Sequence, residues 1–265
     1  MTPSLPSVTI PVLSKQMILQ LQNVTFTFPG KNHLLNNVSL SLEGKNIYAL
    51  MGSNGAGKTT LFNLITGFIK PQSGEILFRS EKITALSSFR INRKGIGRTF
   101  QDLRLITKLT VKENIILAMQ DNPNDNWLNA MLPEIFHRST NQTLGKKADE
   151  IIEQFFLNDV KNALGAEISY GQQKLLTLAC CVANGASLLL LDEAVAGIQP
   201  EYRKKITLLI KQLKEQGKTI WLIEHNTDFI SDVADKIFFL HEGTISTFET
   251  VESLKKDKQV MEAYI

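Results

Sequence analysis

The chain has 265 residues, 43% hydrophobic and 21% charged, with a formal net charge of +3. That composition suits one large globular domain, or one domain plus a small lobe, and excludes a disordered or collagen-like chain. The charge is too small to imply a nucleic-acid partner, and no stretch reaches the ~20 apolar residues of a membrane-spanning helix.

Residues 1–16 carry Pro3, Pro6 and Pro11 and one charge, Lys15. They lack the basic start and apolar stretch of a secretory signal and read as a flexible tail. Two β-like runs follow, 17–28 and 37–42. Val24 to Phe28 alternates apolar and polar residues, as a half-exposed strand does. Pro29-Gly30 and Glu43-Gly44 are turn signals, so the opening reads as an antiparallel sheet at the edge of the fold.

Residues 46–51 form an apolar strand that runs into a glycine-rich loop. A helix is expected from 58 to about 68, a turn at 71–74 and a strand at 75–78. Between about 102 and 165 the character changes. Residues 111–119 and 146–156 have helical spacing of apolar residues, and the Asn-, Asp- and Pro-rich stretch 121–126 is loop-prone. This region reads as a mostly helical lobe inserted into an α/β core. A helical run at 174–183 contains Cys180 and Cys181, whose adjacency fits neither an ordinary disulfide nor metal-ligand spacing and points to core residues in a reducing compartment. Residues 187–191 and 219–223 are continuous apolar strands. Pro200 opens a helix to about 215, which Gly217 ends. A hairpin at 236–240 and 244–248 turns on Glu242-Gly243, and a last helix covers about 251–264. Strands alternating with helices argue for a largely parallel sheet.

Gly52-Ser53-Asn54-Gly55-Ala56-Gly57-Lys58-Thr59 satisfies G-x-x-x-x-G-K-[ST] between an apolar strand and a helix. Such a loop wraps its N–H groups around phosphate oxygens at a helix N-terminus. Lys58 is placed to reach the β- and γ-phosphates and the Thr59 hydroxyl to ligate Mg²⁺. This identifies a nucleoside triphosphate binder without naming its task. Asp192 and Glu193 follow an apolar strand, at the sheet edge where α/β proteins bind ligands. Asp192 is placed to hold Mg²⁺, directly or through water, and Glu193 to act as general base toward the attacking water.

With Ile168-Ser169-Tyr170-Gly171-Gln172-Gln173, the sequence resembles the ATP-binding cassette family, whose signature is usually Leu-Ser-Gly-Gly-Gln. Tyr170 departs from the common Gly. Gln101, in Gly97-Arg98-Thr99-Phe100-Gln101, matches the Q-loop glutamine. His225 matches the switch histidine, and Ala196-Gly197-Ile198-Gln199-Pro200 the D-loop. Gln199 stands where the family has Asp or Asn, and Ala194 where it has Pro. Phe28 matches the aromatic residue that stacks on adenine, with Phe26 the alternative in a shifted register. His33, His137 and His241 match nothing and are taken as structural or solvated.

The resemblance spans residues 17–265. It implies a P-loop NTPase (RecA-like) α/β core over 17–101 and 166–265, with an N-terminal antiparallel β subdomain and an inserted helical subdomain at 102–165. It implies ATP and Mg²⁺ as ligands. Residues 52–59 with Thr60 would hold the nucleotide, and Thr59, Asp192 and Gln101 the metal. Glu193, His225, Gln101 and Lys58 would serve hydrolysis. Ser169, Tyr170, Gly171 and Gln172 would face the ATP of a second cassette subunit, identical or not. The remaining partners would be transmembrane permease subunits and, indirectly, a substrate-binding protein, at the cytoplasmic face of a bacterial membrane. Residues 97–105, 109–114, the stretch 121–145 and the ending 260–264 look like the branched-chain amino acid import group, with urea and amide importers sharing parts of the pattern. Three rivals remain: a lipid or lipopolysaccharide exporter subunit, a non-transport ATPase of the family acting on ribosomes or DNA ends, and a small-molecule kinase. The second usually fuses two cassettes or carries a long coiled coil. The third would leave Ser169 to Gln173 and His225 without a task.

Overall fold

The computed structural model describes residues 16–29, 34–101, 103–119 and 134–264. The strands are β1 (Met17–Phe26), β2 (Leu35–Glu43), β3 (Ile47–Met51), β4 (Ser73–Phe78), β5 (Glu81–Lys82), β6 (Ile96–Arg98), β7 (Leu188–Asp192), β8 (Thr219–Ile223), β9 (Lys236–His241) and β10 (Thr244–Phe248). The helices are α1 (Lys58–Ile65), α2 (Ser88–Arg93), α3 (Val111–Ala118), α4 (Glu134–Gln154), α5 (Tyr170–Ala183), α6 (Pro200–Glu215), α7 (Thr227–Val233), α8 (Val251–Lys255) and α9 (Lys258–Tyr264).

Two sheets result. One is antiparallel, ordered β2-β1-β4-β5. The other is ordered β10-β9-β3-β8-β7-β6; its neighbours from β9 to β6 pair parallel, and β10 closes one edge antiparallel. Every residue of β3, β7 and β8 is buried, as expected of parallel strands covered on both faces. Because side chains alternate along a strand, the two faces feed two cores. Ala49, Leu189, Leu191 and Leu222 enter one core with helices α3 to α7. Tyr48, Leu50, Leu188, Leu190 and Trp221 enter the other, shared with α1 and the antiparallel sheet. Helix α6 shows the matching 3.6-residue logic: Ile206, Leu209, Ile210 and Leu213 form its buried stripe, and Pro200 stands in its first turn.

The fold class expected from the chain is present, with several boundaries corrected. The first strand stops at Phe26, so Phe28 lies beyond the sheet. Helix α1 ends at Ile65, where Thr66 turns its hydroxyl back onto the Phe62 carbonyl. The helix read as 146–156 runs over Glu134–Gln154, and that read from 174 begins at Tyr170. The last helix breaks into α8 and α9 around Asp257. Gln16, assigned to the tail, already accepts a hydrogen bond from Gly44 N at 2.9 Å. Residues 1–15, the stretch 121–126, His33 and the His137 side chain lie outside the described residues. Helices α2 and α7 and strands β5 and β6 had no counterpart in the sequence reading; each is too short to show a period.

Candidate active site

Four adjacent strands of the larger sheet, β3, β8, β7 and β6, run parallel, so their carboxyl ends share one edge. The phosphate loop follows β3, His225 follows β8, Glu193 follows β7 and Gln101 follows β6. Residues up to 197 positions apart in sequence thereby line one cleft of about 560 Å³ that includes Phe28, Lys58, Thr59, Thr60, Gln101, Asp192, Glu193 and His225.

The loop begins where β3 passes β9. A Cβ on Gly52 would lie 2.3 Å from the Leu240 carbonyl oxygen, so a side chain is excluded and the chain can turn there. Gly57 N-caps α1 without a side-chain bond, which leaves the first N–H groups of the helix facing the cleft. Lys58 is only 7% exposed. Its Nζ donates to the carbonyls of Gly52 at 2.7 Å and Ser53 at 2.9 Å, leaving a third proton for a ligand. Burial lowers its pKa, and the carboxylates of Glu193 and Asp192 oppose that shift.

Asp192 is 4% exposed. Burial raises its pKa, the Arg98 guanidinium pulls it back, and Glu193 adds to the rise. Arg98 Nη2 stands 3.6 Å from the carboxylate, an ion-pair distance rather than a hydrogen bond. Arg98 Nη1 donates to Asn63 Oδ1 at 2.7 Å and to Thr66 Oγ1 at 3.2 Å. The Arg98 guanidinium also lies 4.8 Å from the Phe100 ring centre. One cation thus ties the acidic strand end to the phosphate-loop helix and to the residue before Gln101. Thr59 and Asp192 offer oxygen donors to the same cleft, the donor type Mg²⁺ takes alongside phosphate oxygens and water. That donor set fits the metal.

Glu193 sits at φ 49°, a left-handed conformation uncommon outside glycine and asparagine. Its N–H donates to the Ile223 carbonyl at 3.0 Å, and its own carbonyl accepts from Lys174 Nζ at 2.9 Å. The strained turn aims the side chain into the cleft and is held from both sides. His225 is exposed at the cleft mouth; partial burial, and then the Lys58 ammonium, lower its pKa, with Glu193 opposing. The imidazole is therefore held in its neutral form to lower pH than a free histidine.

Three supporting residues escaped the sequence reading: Arg98, Lys174 and Glu224. Glu224 is 3% exposed, and burial raises its pKa while the backbone N–H groups it accepts from oppose that rise. Its two oxygens accept from Val195 N at 2.9 Å and His225 N at 3.2 Å. It thus braces the segment after Glu193 against the turn carrying His225. Glu224→Ala is expected to cost about 1–3 kcal/mol, since the buried Val195 N–H loses its acceptor. Urea denaturation measures that cost, and an unchanged midpoint would deny the brace. The signal available in sequence was an acidic residue directly after an apolar strand.

Phe28, 40% exposed, lines the cleft, whereas Phe26 is half-buried and meets it edge-on at 4.9 Å between ring centres. Of the loop, Asn54, Gly55 and Gly57 also line the cleft, while Ser53 and Ala56 close its turn through an N–H to carbonyl bond of 3.2 Å. The segment 169–172 is not brought there. It opens α5 with a reciprocal cap: Ser169 Oγ accepts from Gln172 N at 3.3 Å, and Gln172 Oε1 accepts from Ser169 N at 2.8 Å. Ser169 and Tyr170 are exposed and free to face another molecule.

The family model described as ABC transporter matches residues 35–196. The chain is 33% identical to the high-affinity branched-chain amino acid transport ATP-binding protein BraF of Pseudomonas aeruginosa, over 94% of this chain and 97% of that protein. It is 34% identical to LivG of Escherichia coli, of the same description, over 94% and 98%. Among solved structures, a nucleotide-free ATP-binding cassette from an ABC transporter superposes with a TM-score of 0.80 at 29% identity, covering 94% of this chain and 99% of that one. A dimeric post-hydrolysis state of the cassette MJ0796, bound to ADP and Pi, gives 0.72 at 26% identity, covering 88% and 98%.

Proposed function

Since the chain belongs to the ABC transporter family as an ATP-hydrolysing cassette, we propose that it powers uptake of branched-chain or related amino acids through separate membrane subunits. The observation that carries the cassette mechanism is the convergence of Lys58, Asp192, Glu193, His225 and Gln101 on one cleft, with Ser169 exposed outside it. The substrate class rests on the BraF and LivG relatives. Among the described residues no helix is long and apolar enough to cross a membrane. On this reading the cassette docks on the cytoplasmic face of a separate permease.

Adenine stacks on Phe28, and the phosphates lie along residues 52–60, where backbone N–H groups, the α1 terminus and Lys58 meet their charge. Thr59, Asp192 and Gln101 would hold Mg²⁺, which when bound would neutralise charge on the phosphate oxygens. Glu193 accepts the proton of the attacking water, and His225 donates a hydrogen bond to the γ-phosphate while keeping the water in line. The site is half of a pair: Ser169 to Gln172 of a second cassette close over the phosphate from the opposite side. Closure moves the α3–α5 region, and Gln101, at its junction with the sheet, passes the change to the permease.

Disrupting the gene and measuring uptake of labelled leucine, isoleucine, valine and urea tests the substrate reading. Leucine, isoleucine and valine uptake is expected to fall and to return with the parent chain but not with Glu193→Gln. Intact uptake of all three, or a selective loss of urea uptake, would contradict the amino acid assignment.

A further inference from the structure

Tyr202 stands in the first turn of α6, two residues after Pro200, and matches none of the motifs above. Its hydroxyl lies 3.2 Å from Ser169 Oγ. Its ring covers Gly171: a Cβ built on that glycine would lie 2.4 Å from Tyr202 Cδ2 and 2.5 Å from Cγ. The Lys205 ammonium lies 5.2 Å from the ring centre. Two of the four residues expected to face a neighbour's phosphate are therefore held by one aromatic side chain from another helix.

A serine hydroxyl has one proton to donate and two lone pairs. One lone pair of Ser169 is taken by the Gln172 N–H. We propose that Tyr202 is a positioning residue for the two-chain nucleotide site, donating its phenolic proton to the second lone pair of Ser169. The serine then has a single valence left, its own O–H, and that bond points away from the protein toward an anion. The ring enforces the arrangement by filling the space over Gly171, so the hydroxyl cannot swing aside without unpacking the start of α5. Tyr202 also links this cap to the D-loop segment, which ends at the N-terminus of α6. The device rests on the two-chain reading proposed above, and it explains why glycine is required at 171 although that residue lies within a helix.

The test uses the full chain carrying Glu193→Gln, so that ATP is bound without turnover, and reads MgATP-driven dimerisation by sedimentation. Tyr202→Phe keeps the ring and removes only the hydroxyl. It is expected to weaken dimerisation about 25-fold, about fivefold for the neutral hydrogen bond lost at each of the two sites of a symmetric pair. ATP affinity of the dilute monomer should not change, because Tyr202 does not touch the chain's own cleft. In a Ser169→Ala chain, Tyr202→Phe should have no further effect. If Tyr202→Phe leaves dimerisation unaltered, or weakens it equally when Ser169 is already alanine, the positioning role is wrong. If Ser169→Ala itself leaves dimerisation unaltered, the two-chain reading falls as well, which separates the two failures.

Discussion

Glu193→Gln is expected to lower ATP turnover at least about a hundredfold, the smaller end of what a positioned general base contributes. The substitution keeps the shape of the side chain and removes its ability to accept a proton. The backbone should tolerate it, because the left-handed turn at 193 is held by the Ile223 carbonyl and the Lys174 ammonium rather than by the carboxylate. ATP binding and ATP-driven pairing should therefore persist, and the variant should accumulate as a closed dimer. Steady-state phosphate release alongside sedimentation reads both arms. Turnover within about tenfold of the parent would remove Glu193 from the base role.

Lys58→Ala acts at an earlier step. The ammonium is buried at the floor of the cleft and already oriented by the Gly52 and Ser53 carbonyls, so little ordering remains to be done when phosphate arrives. Its loss should weaken ATP binding about tenfold to a hundredfold, the effect of losing one charge-assisted hydrogen bond. Titration with a fluorescent ATP analogue measures this, and an affinity equal to the parent's would show that Lys58 does not reach the phosphates. The two variants are thus distinguishable: one binds without turning over, and the other binds poorly.

Much of this was legible because it is local. The phosphate loop is eight contiguous residues whose task depends on backbone turns that glycine permits. Strand β8 and helix α6 were readable to the residue, since the first is an unbroken apolar run between turn signals and the second has Pro at its start, Gly217 past its end and a regular apolar stripe between. The N-terminal half of α4 was invisible because its sequence, rich in Ser, Thr, Asn and Gln, shows no apolar period. The supporting groups of the site were out of reach for a different reason. Arg98 meets Asp192 across two strands that pair only in the folded sheet, and Lys174 reaches the Glu193 carbonyl from α5. Tyr202 meets Ser169 from 33 positions away. No periodicity encodes such meetings; sheet order and helix packing create them. The place of Phe28 beyond the end of β1 is an intermediate case, since an aromatic one residue before Pro29 was visible but its register was not.

On this mechanism each triphosphate is held between two polypeptides. A crystal structure of Glu193→Gln grown with ATP and Mg²⁺ tests it most directly. The γ-phosphate is predicted to lie within hydrogen-bond distance of Lys58 from one chain and of Ser169 from the other, twice over in a symmetric pair. A nucleotide enclosed by a single chain, with Ser169 of every neighbour turned toward solvent, would contradict it.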